Sequence, residues 1–223
     1  MKKSNRSPED TKKRLVEAGL ELFGAHGIDG VSTRQLAEKA AVNLASIPYH
    51  FGGKEGVYLA VAQHIVESTG SAIQQAAQRA IANSETLSRE DAATRAGQFL
   101  STAVRVILAV PGAAARGGFV VREQLQPTKA FDVLYDGFIG DVHRAISSLV
   151  ARATGSSADA LETIVRAHAL VGSVLVFGLA RAALHRRLQD AGFANHDLTR
   201  LPDIVATAVA EHTVKALREG SQS

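Results

Sequence analysis

Residues 32–58 read STRQLAEKAAVNLASIPYHFGGKEGVY. Ser32, followed three positions later by Gln35, is the pattern of a capping box, in which each side chain satisfies a backbone N–H left orphaned at a helix start. Leu36, Ala37 and Ala40 then recur at helical spacing, which predicts a helix of about two turns from Thr33. Ala41, Val42 and Asn43 supply small and turn-tolerant residues, and Asn43 is a suitable N-cap for a second short helix over Leu44–His50. Two short helices joined by a tight turn make a helix-turn-helix.

The second of these helices carries the chemistry. Asn43, Ser46, Tyr49 and His50 offer hydrogen-bonding groups on a short rod, while Ile47 and Phe51 are spaced to anchor it inward; a rod of that width fits the major groove of DNA. Gly52 and Gly53 allow a sharp turn, and Lys54 then opens the next helix, where free backbone amides and a cation together suit a phosphate. Thr33 and Arg34 stand at the start of the first helix, where it would approach the DNA backbone. Pro48 falls inside the expected second helix, so the lost backbone donor should bend or shorten its last turn.

Upstream, Ser7, Pro8, Glu9 and Asp10 mark a helix start, and Leu15, Ala18, Leu22 and Phe23 give it an apolar face that ends before Gly27. Residues 1–14 hold six cations (Lys2, Lys3, Arg6, Lys12, Lys13, Arg14) against two acids, an excess of four in a chain whose net charge is only +3. Residues 1–6 therefore read either as a flexible basic arm that reaches phosphates or as a solvated tail.

Downstream, the pattern predicts a long helix from Glu55, weakened or ended by Gly70 and by the stretch Asn83–Ser88. Another runs from Ser88 to Pro111, and a broken, mobile segment follows around Ala113–Arg116, between Pro111-Gly112 and Gly117-Gly118. Further helices are expected from Thr128 to near Gly155, from about Ala158 to Leu188, and from about Pro202. The Ala158–Leu188 helix is apolar on more than one face and must be covered on two sides, and Gly172 and Gly178 would admit a close neighbour. No period-two strand pattern is present. The expected fold is all-α, with about nine helices.

Composition narrows the function. The chain has 223 residues and no cysteine, which excludes disulfides and thiolate metal sites and fits a cytoplasmic protein. Its longest apolar run, Ala169–Ala180, is too short to cross a bilayer, and no secretory signal follows Lys2 and Lys3. The eight histidines lack metal-ligand spacing, and no phosphate loop, dinucleotide fingerprint or nucleophile elbow occurs. No catalytic residues, metal or cofactor are expected.

The run from Ala18 to Val61 resembles the DNA-binding domain of TetR-family transcriptional regulators. Leu22-Phe23, Gly27, Thr33, Ala37, Ala40, Val42, Tyr49, Phe51, Lys54 and Glu55 stand at the family's spacing, and Pro48 departs from its pattern. FVVREQLQPTKAF, residues 119–131, resembles the C-terminal domain of the CecR-like subgroup. With residues 1–6 taken as the flexible basic arm that their charge suggests, the resemblance implies a three-helix DNA-binding head over 7–54 and a six-helix ligand-binding and dimerisation domain over 55–223. It implies DNA contacts through Thr33, Arg34, Asn43, Ser46, Tyr49, His50 and Lys54, and a four-helix bundle formed by the last two helices of two subunits. It also implies an apolar effector pocket, with Phe119, Arg122, Glu123, Gln124, Tyr135, His168 and Phe177 as candidates. Arg122 and Glu123 equally suit a structural ion pair, and His168 a core position. The expected protein is a homodimeric repressor that binds a palindromic double-stranded operator and is released by a small molecule, with no membrane partner. The rival is a helical small-molecule-binding protein or enzyme whose N-terminal helices do not touch DNA.

Overall fold

The computed structural model describes residues 7–109, 112–193 and 199–219, and all regular structure among them is helical. The basic arm expected over 1–6, Pro111, and the surroundings of Gly178 lie outside the described residues. The chain divides into two compact units, Met1–Ser68 with Gly112–Tyr135, and Thr69–Pro111 with Asp136–Ser223.

The first unit holds α1 (Pro8–His26), α2 (Thr33–Ala40), α3 (Ser46–Phe51) and α4 (Lys54–Ile65), together with α7 (Ala113–Leu125) and α8 (Lys129–Leu134). Ser7 caps α1 by accepting from the Asp10 N–H, and Gly27 ends it at φ 71°. The predicted capping box is present: Ser32 Oγ accepts from the Gln35 N–H at 3.2 Å, and Gln35 Oε1 accepts from the Ser32 N–H at 2.8 Å. Leu15, Phe23, Leu36, Ile47 and Val57 are wholly buried, so each of α1 to α4 contributes to one apolar centre.

α7 differs from expectation. The segment predicted to be broken is a regular helix through Gly117 and Gly118. A Cβ on Gly24 of α1 would lie 2.3 Å from the Ala115 carbonyl oxygen, and one on Gly118 would lie 2.5 Å from that of Gly24. These glycines mark a place where two backbones touch, and helix-on-helix packing offsets the low helix propensity of glycine.

The second unit holds α5 (Ser71–Ile81), α6 (Arg89–Ala109), α9 (Gly140–Thr154), α10 (Leu161–Leu179), α11 (Arg181–Asp190) and α12 (Leu201–Glu219). α6 is central and packs on α5, α9 and α12. Much of this core is alanine, including Ala92, Ala93, Ala96, Ala145, Ala153, Ala167 and Ala206, which brings helix axes close. At Gly97 of α6 a Cβ would meet the Ala210 carbonyl of α12 at 2.8 Å.

The roughly nine expected helices become twelve α-helical segments among the described residues: α7 forms where a broken segment was expected, the helix from Glu55 gives way at Gly70 as the sequence suggests, and the helices expected from Thr128 and from Ala158 are each interrupted once. π-helical turns at Val66–Gly70 and Tyr135–Ile139 separate α4 from α5 and α8 from α9. Gly70 in the first admits the Phe138 ring of the second, 3.1 Å from where its Cβ would stand. The helix expected from Ala158 begins at Leu161, after a turn closed by the Ala160 N–H on the Ser157 carbonyl, and leaves helical geometry at Ala180 (φ −97°, ψ 23°).

Adjacent glycines of α7 should respond oppositely to alanine. A Cβ on Gly117 meets nothing within 4 Å, so Gly117→Ala should stabilise by about 0.5–1 kcal/mol through helix propensity. Gly118→Ala should cost about 1–3 kcal/mol by forcing α1 and α7 apart. Urea denaturation of both variants checks this, and a common sign for the two shifts would contradict the close crossing.

Candidate nucleic-acid interface

The helix-turn-helix corner is built by the backbone. α2 ends at Ala41 in left-handed geometry, φ 48° and ψ 49°. Such geometry is unfavourable for a residue with a Cβ, and here the Val42 N–H reaches back to the Ala37 carbonyl. Asn43 Oδ1 then accepts from the Ala45 N–H at 2.9 Å. It starts a tight turn rather than α3 itself, whose first residue is Ser46 and not Leu44.

That shift alters the role of Pro48. The Ile47 N–H bonds to the Leu44 carbonyl and the Tyr49 N–H to that of Ala45, so the missing donor falls where the chain passes from tight-turn to α-helical bonding. A proline in the first turn of a helix costs little. The last turn closes normally, the Gly52 N–H donating to the Pro48 carbonyl at 3.1 Å, and the bend expected there does not occur.

Ile47 is wholly buried, and Phe51 is half-buried. Tyr49 is 82 % exposed, more than the other large apolar side chains among the described residues. His50 lies edge-on to Tyr49, ring centres 4.8 Å apart, and faces Phe51 on its other side at 6.4 Å. Thr33 and Ser46 are half-buried, and Arg34 and Asn43 are exposed. Thr33, Asn43, Pro48 and Gly53 line one open hollow of about 550 Å³. The start of α2, the turn, α3 and the residue before Lys54 therefore share a concave surface.

Lys54 opens α4, and its ammonium donates to the Ile28 carbonyl at 2.8 Å. An ammonium has three donors, so this bond holds the α1–α2 turn and leaves capacity for a phosphate. Gly56 was not singled out from the sequence. A Cβ there would lie 1.8 Å from the Phe51 carbonyl oxygen, so α3 seats directly on the backbone of α4. A glycine in the first turn of a helix, at a propensity cost, was the available signal.

The pocket candidates are distributed between the units. Phe119 is wholly buried, its ring 4.5 Å from that of Tyr58. Glu123, 1 % exposed, accepts from the Tyr58 hydroxyl at 2.6 Å and from the Thr128 N–H and hydroxyl at 3.0 Å each. Arg122 donates to the Gly24 and Ala25 carbonyls at the end of α1. Arg122 and Glu123 therefore reach different helices. Gln124 and Tyr135 are exposed, with the Tyr135 ring 5.8 Å from Phe131.

In the second unit, His168 is exposed and stacks on His143 at 5.4 Å, and Phe177 packs against the core. Burial, and then the neighbouring His168, hold the His143 imidazole below its usual pKa. His64 on α4 is lowered by burial and by Arg116 of α7, whose Nη2 is 3.4 Å from its ring. No group of three or more metal-binding side chains occurs among the described residues. Among the described residues no single helix is long and apolar enough to cross a membrane.

Residues 15–61 match the profile of the bacterial regulatory proteins of the tetR family. Residues 92–217 match the profile of the C-terminal domain of the HTH-type transcriptional dual regulator CecR. The chain is 33 % identical over 181 residues to the CecR regulator of Shigella flexneri, covering 79 % of each protein. Its fold is similar to that of a transcriptional regulator from Rhodococcus sp. Rha1, with a TM-score of 0.62, 14 % identity, and 96 % and 97 % of the two chains covered. It is also similar to that of the transcriptional regulator FadR from Bacillus subtilis, solved in complex with stearoyl-CoA, with a TM-score of 0.57, 10 % identity, and 93 % and 98 % covered.

Burial, followed by the hydrogen bond and charge of Glu123, raises the pKa of the Tyr58 hydroxyl well above its ordinary value of 10. A pKa raised by folding means that the unfolded chain loses the proton first. The stability contributed by this hydroxyl is complete below about pH 10 and declines as pH rises beyond it. Tyr58→Phe should lower stability at pH 7 by about 1–3 kcal/mol, because the buried carboxylate loses a donor, and should flatten the decline above pH 10. Denaturation midpoints from pH 7 to 11 test this, and an equally steep alkaline loss in the variant would contradict it.

Proposed function

The chain belongs to the TetR family of transcriptional regulators, and from that premise we propose that it acts as a homodimeric repressor that binds a palindromic operator and is released by a small molecule. The observation carrying the DNA contact is the surface around α3: Ile47 is buried beneath it, Tyr49 projects from it, and Thr33 and Asn43 border the hollow beside it. In this reading Asn43, Ser46, Tyr49 and His50 meet base edges and sugar–phosphate, while Thr33, Arg34 and Lys54 hold phosphates. DNA binding places its work in the cytoplasm.

A second copy is supported by α10. Leu161, Ile164, Val165, Val176 and Leu179 are 46–71 % exposed, and a Cβ on Gly172 would meet nothing within 4 Å. Leu161, Val165, Val176 and Leu179 recur at helical spacing along one stripe, with His168 and Gly172 between them, and exposed apolar side chains gathered on one helix face suit an interaction surface. Two copies joined there would present two recognition helices to successive major-groove faces, about one DNA turn apart.

Release by a small molecule is supported by the fold, which in FadR of Bacillus subtilis holds stearoyl-CoA. His168 and Phe177 remain the candidate contacts within the second unit. The name of the Shigella relative, a dual regulator, favours a second reading in which the same binding also activates at some promoters.

Lys54→Ala should weaken binding to every duplex and reduce the slope of log affinity against log salt by about one; an unchanged slope in anisotropy titrations would remove Lys54 from the phosphate contacts. Val165→Glu should turn the dimer into a monomer in sedimentation equilibrium and remove operator binding with it. A Val165→Glu protein that remains dimeric would contradict the α10 interface.

A further inference from the structure

Arg122 and Glu123 are consecutive residues near the end of α7, yet they hold two different helices of the same unit. The Arg122 guanidinium donates to the last carbonyls of α1, at Gly24 and Ala25, and runs beside Gly27, where a Cβ would lie 3.6 Å from its Nη1. A cation on exposed helix-terminal carbonyls satisfies orphan acceptors and the negative end of the dipole together. Glu123, buried, accepts from Tyr58 of α4. Tyr58 stands one turn after Lys54, which donates to the Ile28 carbonyl in the turn that follows α1.

These contacts close on themselves. From Arg122 the path runs to the end of α1, through Gly27 and Ile28 to Lys54, along α4 to Tyr58, and back through Glu123 to Arg122. The loop encloses the two backbone segments that border α2 and α3, namely the turn before α2 and the start of α4. The buried Phe119 packs its ring against that of Tyr58, and Thr128 fixes the second carboxylate oxygen of Glu123.

We infer that Arg122 and Glu123 are positioning residues for DNA binding: they tie α7 to the end of α1 and to α4, and so set the relation between the α2–α3 corner and the Lys54 phosphate contact. Both carboxylate oxygens of Glu123 and two nitrogens of Arg122 are engaged with protein, which assigns them to the head and not to an effector. The assignment rests on the DNA-binding reading above. It differs from a general stabilising role in what it alters. Misalignment of the corner removes the simultaneous fit to base edges and phosphates that a specific site demands, whereas non-specific attraction to the DNA backbone tolerates it.

Arg122 is exposed, so Arg122→Gln removes one side of the loop without opening a core cavity. The test uses full-length protein and two probes: random-sequence duplex, and the consensus duplex that the wild-type protein enriches from a randomised pool. All affinities are measured below the melting temperature of every variant. Arg122→Gln should bind random duplex as the wild type does and lose about tenfold on the consensus, with Arg122→Lys, which keeps a donor for the carbonyls, recovering part of the loss. An unchanged ratio of consensus to random affinity in Arg122→Gln would overturn the positioning role, as would an equal loss on both probes. Failure of the wild-type protein to enrich any sequence would instead overturn the DNA-binding reading.

Discussion

A helix of six residues has no stability of its own. Nucleating the first turn costs more than its few hydrogen bonds return, and isolated helices well beyond this length remain marginal in water. α3, Ser46–Phe51, exists only because its surroundings hold it. The wholly buried Ile47 contributes about 1.5–3 kcal/mol of burial, and Gly56 admits the Phe51 carbonyl to the backbone of α4. The constraint is tight on its inner side and open on its outer side, which frees the outward side chains from any packing duty. A polar surface held rigidly at small entropic cost is what a groove-reading element requires.

The same economy recurs through the first unit. Its helices approach closely wherever side chains are smallest, as where Gly24 meets Ala115 and Gly118. Its buried polar atoms are arranged around one carboxylate, that of Glu123, with three donors from Tyr58 and Thr128. A buried charge left without partners is costly and a fully bonded one specifies geometry. The placement of Tyr58 and Thr128 therefore follows from the presence of Glu123. The second unit solves a different problem with an alanine-rich core, in which close axes replace bulky side chains.

Local chemistry was legible in the sequence wherever it is enforced locally. The Ser32–Gln35 box, the Ser7 cap and the inward spacing of Ile47 all reappear in the structure, because each depends on residues within a turn or two of one another. The distinction between a breaking and a packing glycine was not legible: Gly117-Gly118 reads as a break until α1 supplies the surface that Gly118 meets. The π turn at Tyr135–Ile139 escaped notice for a similar reason, since one inserted residue hardly disturbs an apolar stripe, whereas Gly70 did mark the interruption at Val66–Gly70. Pro48 was misjudged through a shift of two residues in the start of α3, which moved it from the interior of a helix to its first turn. For Arg122 and Glu123 the residue types signalled importance, but partners 97 and 65 positions away carry no trace in spacing or periodicity.

In the proposed mechanism an effector can act only by binding one arrangement of the dimer more tightly than another, so everything rests first on two recognition helices meeting duplex DNA together. Hydroxyl-radical footprinting of the wild-type protein on the DNA upstream of its own coding sequence tests that most directly. The account predicts two protected patches of equal extent, related by a dyad and separated by about one helical turn on the same face of the duplex. A single unpaired patch, or no protection at low salt, would contradict it.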